Sequence, residues 1–393
     1  MKKVNSTFLF YAGTLFSSVG NLTFTTCLVA FMLKSDFSLA SISLILGLQR
    51  LLPILVIGVW GHITDRLNPK LTVVVLEIVA AGTSVALLLL WRGHETVYPL
   101  LVLVCLLRSF MISFQLGSRS KISKLLGNGE YASNSKHAIW LMKATQGATL
   151  FGGAIAFVVI KNFDLEAAII FDFVTFVVNG VLIYSLSIEN DTAENQVGAK
   201  ESWLKKFSDL FKFNKEAAVL DIFLALSLFG WASYTARLAG VDQSWNALFT
   251  ASYGLAVWVA GFAERSFAKK ISSVPFWTVL ALAYVGLAFY NGPHYSTLAI
   301  VFIRDISYWV ILHRISSHIQ HDSPSSLIGG ISSARFTIMV TILACGEMLV
   351  GGWSKFVPLW ADSGLRAVVA ICVGVVLLKK KSQRAVADER PAL

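Results

Sequence analysis

Hydrophobic positions in this chain run together in long blocks, broken by short polar turns. The first set of blocks lies at roughly 7–33, 41–63, 71–91, 97–117, 138–160 and 166–187. A second set lies at roughly 217–239, 246–264, 274–291, 295–313, 329–351 and 358–378. Each is long enough to cross a hydrocarbon core about 30 Å thick. Lipid offers no hydrogen-bond partner to a backbone, so each block is predicted to be a helix. The pattern therefore predicts an all-α polytopic membrane protein with twelve transmembrane helices. These fall into an N-terminal bundle over 1–187 and a C-terminal bundle over 217–393 with a short tail. The linker over 188–216 is polar, and its second part predicts a short surface helix, with Trp203, Leu204, Phe207, Leu210 and Phe211 at helical spacing.

Composition agrees with the pattern. Of 393 residues, 55% are apolar and only 14% charged, too few to coat a soluble domain of this size. The first block runs to about Leu33, beyond the reach of a signal peptide's apolar core, and reads as an uncleaved span. Cys27, Cys105, Cys345 and Cys372 all fall inside apolar runs and make neither a disulfide framework nor a metal spacing. The net charge of +10 has a one-sided origin. With the N-terminus placed in the cytoplasm, the outer loops hold only Lys34, Arg92, Lys161, Arg237, Lys355 and Arg366. Arg50, Arg108 and Arg304 lie inside spans, and the remaining Lys and Arg fall on the cytoplasmic side. That asymmetry is the positive-inside signal. It places both ends in the cytoplasm, with a lipid bilayer as the surroundings, and accounts for the basic charge without a nucleic-acid partner.

The two halves echo each other. Asp65-Arg66 followed by Lys70 has a counterpart in Glu264-Arg265 followed by Lys269, and Arg108 has a counterpart in Arg304. Both matches are offset by about 200 residues, the mark of an internal repeat. Duplicated six-helix halves with a midplane site are a carrier architecture.

The stretch "GHITDRLNPK" (61–70) is similar to the loop between spans 2 and 3 of the major facilitator superfamily, through Gly61, Asp65, Arg66 and Lys70. Asn68-Pro69 stand where that loop usually has a Gly and an adjacent basic residue. Arg50-Leu-Leu-Pro53 and "FDFVTF" (171–176) resemble the enterobactin-exporter-like and macrolide-efflux-like branch. "ATLFGG" (148–153) keeps Gly152-Gly153 of an antiporter motif but has Ala148-Thr149 in place of its Gly-Pro. The resemblance implies the major facilitator fold, two pseudo-symmetric six-helix bundles, a monomer, and a conformational gate at Gly61, Asp65, Arg66, Lys70, Glu264 and Arg265. Charged contacts at such a gate can form in one state and break in the other.

The intramembrane charges are the candidate chemistry. An Arg at the bilayer centre costs at least ~2.5–3.5 kcal/mol, so Arg50, Arg108 and Arg304 are expected to face a watery space or a partner. Facing water, they would favour an anionic substrate, joined by Asn21, Gln115 and Tyr308 as contacts. Pairing with acids is the other reading. The intramembrane acids include Glu77, Asp172, Asp305 and Glu347. Asp305 and Glu347 are the candidates for proton coupling, since such a carrier needs a carboxyl in a dry site. Asp305 follows Arg304 directly, about 100° around the helix, so the two need not pair. His318, His321 and Asp322 lack an evident fourth ligand, so no metal is expected there. Motifs for phosphate binding, zinc proteolysis or nucleophilic hydrolysis are missing from the sequence, so neither an enzyme nor a cofactor is expected.

The function expected is a secondary exporter in the cell inner membrane. It would move a small anionic molecule, a carboxylate siderophore, by alternating access with proton coupling. A broad-specificity drug/proton antiporter is the alternative; an uptake carrier and a non-transporting membrane protein rank below it.

Overall fold

The structure is a computed structural model that describes residues 2–35, 37–92, 98–126, 131–187, 203–266, 271–290, 292–323 and 328–388. Some side chains inside its helices, those of Gly61, Asp65, Arg66 and Arg265 among them, lie outside the described residues. The described residues form helices and no strand. In order these are α1 (Lys2–Lys34), α2 (Leu39–Arg66), α3 (Pro69–Arg92), α4 (Tyr98–Leu126), α5 (Tyr131–Asn162), α6 (Leu165–Tyr184) and α7 (Trp203–Ser227). There follow α8 (Trp231–Ala239), α9 (Ser244–Ser266), α10 (Val274–Phe289), α11 (Tyr295–Asp322), α12 (Ile328–Trp353) and α13 (Leu359–Asp388). Among the described residues, nine helical stretches are long and apolar enough to cross a membrane, and three shorter apolar helices lie at Leu39–Leu52, Leu101–Met111 and Val274–Phe289.

The chain divides into two compact units, Met1–Lys200 with Val241–Leu255, and Glu201–Gly240 with Ala256–Leu393. In the first, α1 packs on α5 and α6, α3 on α4 and α6, and α2 on α4. In the second, α10 packs on α11 and α13, α7 on α11, α12 and α13, and α12 on α8.

α3 and α6 turn their mid-helix acidic residues inward and apolar residues outward. Glu77 and Asp172 are buried, while Ile78 and Val181 are 65% and 63% exposed. This inverts a water-soluble core, as expected where hydrocarbon is the solvent. Close approach depends on missing side chains. A Cβ on Gly20 would fall 1.8 Å from Thr175 Oγ1, so α1 and α6 meet only because residue 20 has none.

The departure of Asn68-Pro69 from the family loop has a local explanation. Asn68 Oδ1 accepts hydrogen bonds from the backbone N–H of Lys70 (3.0 Å) and Leu71 (3.2 Å), capping α3. Pro69 occupies the first helical position, where a missing N–H does no harm. Lys70 Nζ then donates to the Leu186 carbonyl at 2.7 Å, tying the α2–α3 turn to the end of α6.

Two features differ from the sequence expectation. The linker helix begun at Trp203 continues into span 7 as one helix, kinked at Asn214 (φ −135°, ψ 34°). Span 7 is itself interrupted: α7 stops at Ser227 and α8 restarts at Trp231, with Gly230 left-handed between them (φ 62°). No proline marks this break, and a lone Gly in an apolar run gives little warning of it.

Candidate functional site

The first unit holds two stacked layers of buried polar side chains, each drawn from α1, α3, α4 and α6. In the layer farther from the α2–α3 turn, Arg108 of α4 pairs with Asp172 of α6 at 2.8 Å. Ser84 of α3 donates to Asp172 at 2.7 Å, and Arg108 reaches Asn21 Oδ1 of α1 at 3.3 Å. The guanidinium lies 4.2 Å from the Phe24 ring centroid and 5.2 Å from that of Phe176. Arg108 is 3% exposed and Asp172 not at all.

The other layer is built from the same residue types. Arg119 of α4 pairs with Glu77 of α3 at 2.7 Å and reaches Ser17 of α1 at 3.0 Å. Asn179 of α6 donates to Glu77 at 2.6 Å, and Ser17 donates to the same carboxylate at 3.2 Å. Sequence reasoning noted Glu77 and missed Arg119, which sits in the polar run "GSRSK" and reads as a loop residue. Continuation of α4 to Leu126 carries it into the unit. Gln115, between the two arginines on α4, is 2% exposed.

In the second unit, Arg304 is fully buried. It pairs with Asp305, the neighbour it was not required to meet. Its guanidinium carbon lies 3.3 Å from the Trp231 ring centroid, and it donates to Tyr284 Oη at 3.2 Å. Tyr308 is buried edge-on against Trp309, with centroids 5.8 Å apart. Arg50, the third expected arginine, is half-buried on α2.

Glu347 lies at the break in span 7. Its carboxylate accepts from the backbone N–H of Ala232 and Ser233, both at 3.0 Å, and from Ser233 Oγ at 2.7 Å. It is therefore the cap of α8, supplied from α12, and its negative charge faces the positive end of that helix. On the other side of the break, Arg366 Nη1 donates to the Ser227 carbonyl at 3.1 Å, and Tyr284 Oη donates to the same carbonyl. Asp362 holds Arg366 at 3.1 Å and Arg237 at 3.2 Å. The sequence placed Arg237 and Arg366 on outer loops; Arg366 is instead 3% exposed inside the unit, where its charge serves the interrupted backbone.

Of the expected gate residues described, Glu264 of α9 accepts from Arg314 of α11 at 3.3 Å, and Lys70 holds Leu186 as above. A further pair, Arg335 of α12 with Asp221 of α7, has Arg335 also donating to Ser316 of α11 at 2.7 Å.

A chain of inward-facing charges, outward-facing apolar residues and helices of membrane-spanning length describes a multi-pass membrane protein. The model of the Major Facilitator Superfamily matches residues 10–346, and the chain belongs to that family. It is a transporter of the secondary carrier kind and not an enzyme. No curated protein sequence matches it. Among solved structures, the nucleoside transporter NupG is similar at a TM-score of 0.68 and 14% identity, over 95% of this chain and 99% of that one. A bacterial homologue of the human lysosomal transporter Spinster, inward-facing and unoccupied, is similar at a TM-score of 0.67 and 14% identity, over 96% and 95% of the two chains. At such identity the likeness concerns the fold.

Proposed function

We propose that the chain is a secondary active exporter of a small anionic organic molecule, of the carboxylate siderophore kind. It works as a monomer by alternating access, coupled to protons, in the inner membrane with both termini cytoplasmic. The observation that carries this reading is the pair of buried arginines in matching positions of the two halves, Arg108 and Arg304. Each is held against an Asp and an aromatic face. The Asp occupies the place that a solute carboxylate would take, since a guanidinium pairs with either one. Arg50, Asn21, Gln115 and Tyr308 complete the proposed contacts. Gly61, Asp65, Arg66 and Lys70 in the first half, and Glu264 and Arg265 in the second, are the proposed gate residues. The resemblance of Arg50–Pro53 and of residues 171–176 to the enterobactin-exporter-like branch supports the outward direction.

The arginines are balanced, and this bears on the substrate. Three uncompensated guanidinium groups would repel a cation; Arg108 and Arg304 with their Asp partners present no such net charge. A drug/proton antiporter for apolar cations is therefore the second reading. One experiment separates them. A deletion strain grown without iron should retain siderophore in the cells and release less to the medium. Unchanged release together with new sensitivity to dyes or antibiotics would overturn siderophore export and favour the drug pump.

A further inference from the structure

The Arg119–Glu77 layer is not required by a solute site at Arg108. Glu77 and Ser84 are seven residues apart on α3, as are Asp172 and Asn179 on α6, which puts the layers about 10 Å apart. Among the described residues, the second unit holds a different second pair, Arg335 of α12 with Asp221 of α7, and none on α10. By the offset that relates Arg108 to Arg304, α10 is the counterpart of α3, and α10 carries no charged residue; its Trp277 is 1% exposed.

Unmet hydrogen-bonding capacity also lies on the helices that build this layer. Thr14 Oγ1, Gln115 Nε2, Ser118 Oγ, Arg119 Nε and Asn179 Oδ1 are buried and make no hydrogen bond among the described residues. The residues that bear them are all at least nine-tenths buried and lie on the same three helices, α1, α4 and α6. Buried polar atoms normally find partners. A cluster that mixes donors and acceptors is the kind of surface that carries water or a hydrated proton. Among the described residues, the charged group facing Glu77 is Arg119 of α4; α1 and α6 present the neutral Ser17 and Asn179.

Resting on the export reading above, the coupling chemistry asks for such a site. A solute anion that displaced Asp172 from Arg108 would leave that carboxylate without its counter-ion, which favours a proton on Asp172. By linkage, anion and proton would then bind together and move in one direction. Exchange in opposite directions needs the returning proton on a different carboxylate. Asp305 is the counter-ion of Arg304 in the same way, and Glu347 is committed to α8. We propose that Glu77 is a proton-binding site of the first unit, distinct from the solute-facing Arg108–Asp172 pair, with Arg119 as its positioning residue. The proton adds to a carboxylate oxygen of Glu77. Arg119 loses its anionic partner and keeps Ser17. The neutral and the ion-paired layer favour different placements of α4 against α1 and α3, which biases the carrier between its states.

The test is pH-difference infrared spectroscopy of the purified full-length protein, reading the C=O stretch of protonated carboxyl groups. Acidification of the wild type should produce a buried-carboxyl band that is retained in Asp172→Asn and lost in Glu77→Gln. Where Glu77→Gln fails to fold, Glu77→Gln/Arg119→Gln, which leaves no lone charge, carries the same readout. A band that survives both variants, or no band in the wild type, overturns the proposal. The spectrum needs no transported solute: a Glu77 band in a protein whose deletion leaves siderophore release unchanged would sink the export reading and keep the proton site.

Discussion

Replacing Glu347 by Ala should unravel the restart of α8. The variant removes the acceptor of two backbone N–H groups and one hydroxyl, on Ala232 and Ser233, at a helix start where Ser233 is fully buried. Leaving a buried donor without an acceptor costs about 1–3 kcal/mol each. Two N–H groups give roughly 2–6 kcal/mol, to which loss of the charge at the helix end adds up to ~2 kcal/mol. Glu347→Gln keeps one accepting oxygen but turns an NH₂ toward donors, so its loss should be about half as large, roughly 1–3 kcal/mol. Denaturant titration of the purified protein measures the order: wild type, then Gln, then Ala. Amide hydrogen exchange at Ala232 and Ser233 should accelerate in the same order. If Glu347→Ala unfolds within about 0.5 kcal/mol of wild type, the range of an ordinary surface change, the capping argument is wrong.

Further outcomes follow from the same geometry. Gly346→Ala would place a Cβ 2.5 Å from the Gly230 nitrogen and 2.8 Å from the Phe229 ring, and should destabilise by about 1–3 kcal/mol in the same titration, because backbone cannot retreat as a side chain can. Asn68→Ala removes the cap of α3 and should lower stability by about 1 kcal/mol, with faster amide exchange at Lys70 and Leu71. Arg119→Ala leaves Glu77 a buried charge without its partner and should cost about 3–5 kcal/mol, whereas Glu77→Gln/Arg119→Gln should recover most of that loss in a thermal unfolding measurement.

The spans were legible because lipid demands long apolar runs, and the burial of Arg108 and Arg304 was legible because so few charges interrupt them. Their partners were harder to read. Asp172 reaches Arg108 across a helix contact that no local spacing encodes. Arg304 meets its own neighbour, which the angle between adjacent helix residues argued against; side-chain length overrode it. Arg119 was hidden because charges just past a span usually lie in a loop. The break at 228–230 was hidden because its determinants, Glu347, Tyr284 and Arg366, come from three other helices. The capping contacts of Glu347 were likewise not legible from sequence position alone: an acid in an apolar run looks the same whether it binds a proton or caps a helix.

The most direct measurement uses an iron-starved deletion strain carrying the charge-balanced variant Arg108→Gln/Asp172→Asn. A single Arg108→Ala change would leave a buried carboxylate unpaired at about 3–5 kcal/mol and confuse folding with transport. The double variant should reach the membrane at wild-type level, unfold within about 1–3 kcal/mol of wild type, because both charges leave together and only the shortening at residue 108 remains, and restore no siderophore release. Release at the wild-type rate from that folded variant would show that the Arg108–Asp172 pair only holds helices together, and would contradict its assignment to the solute.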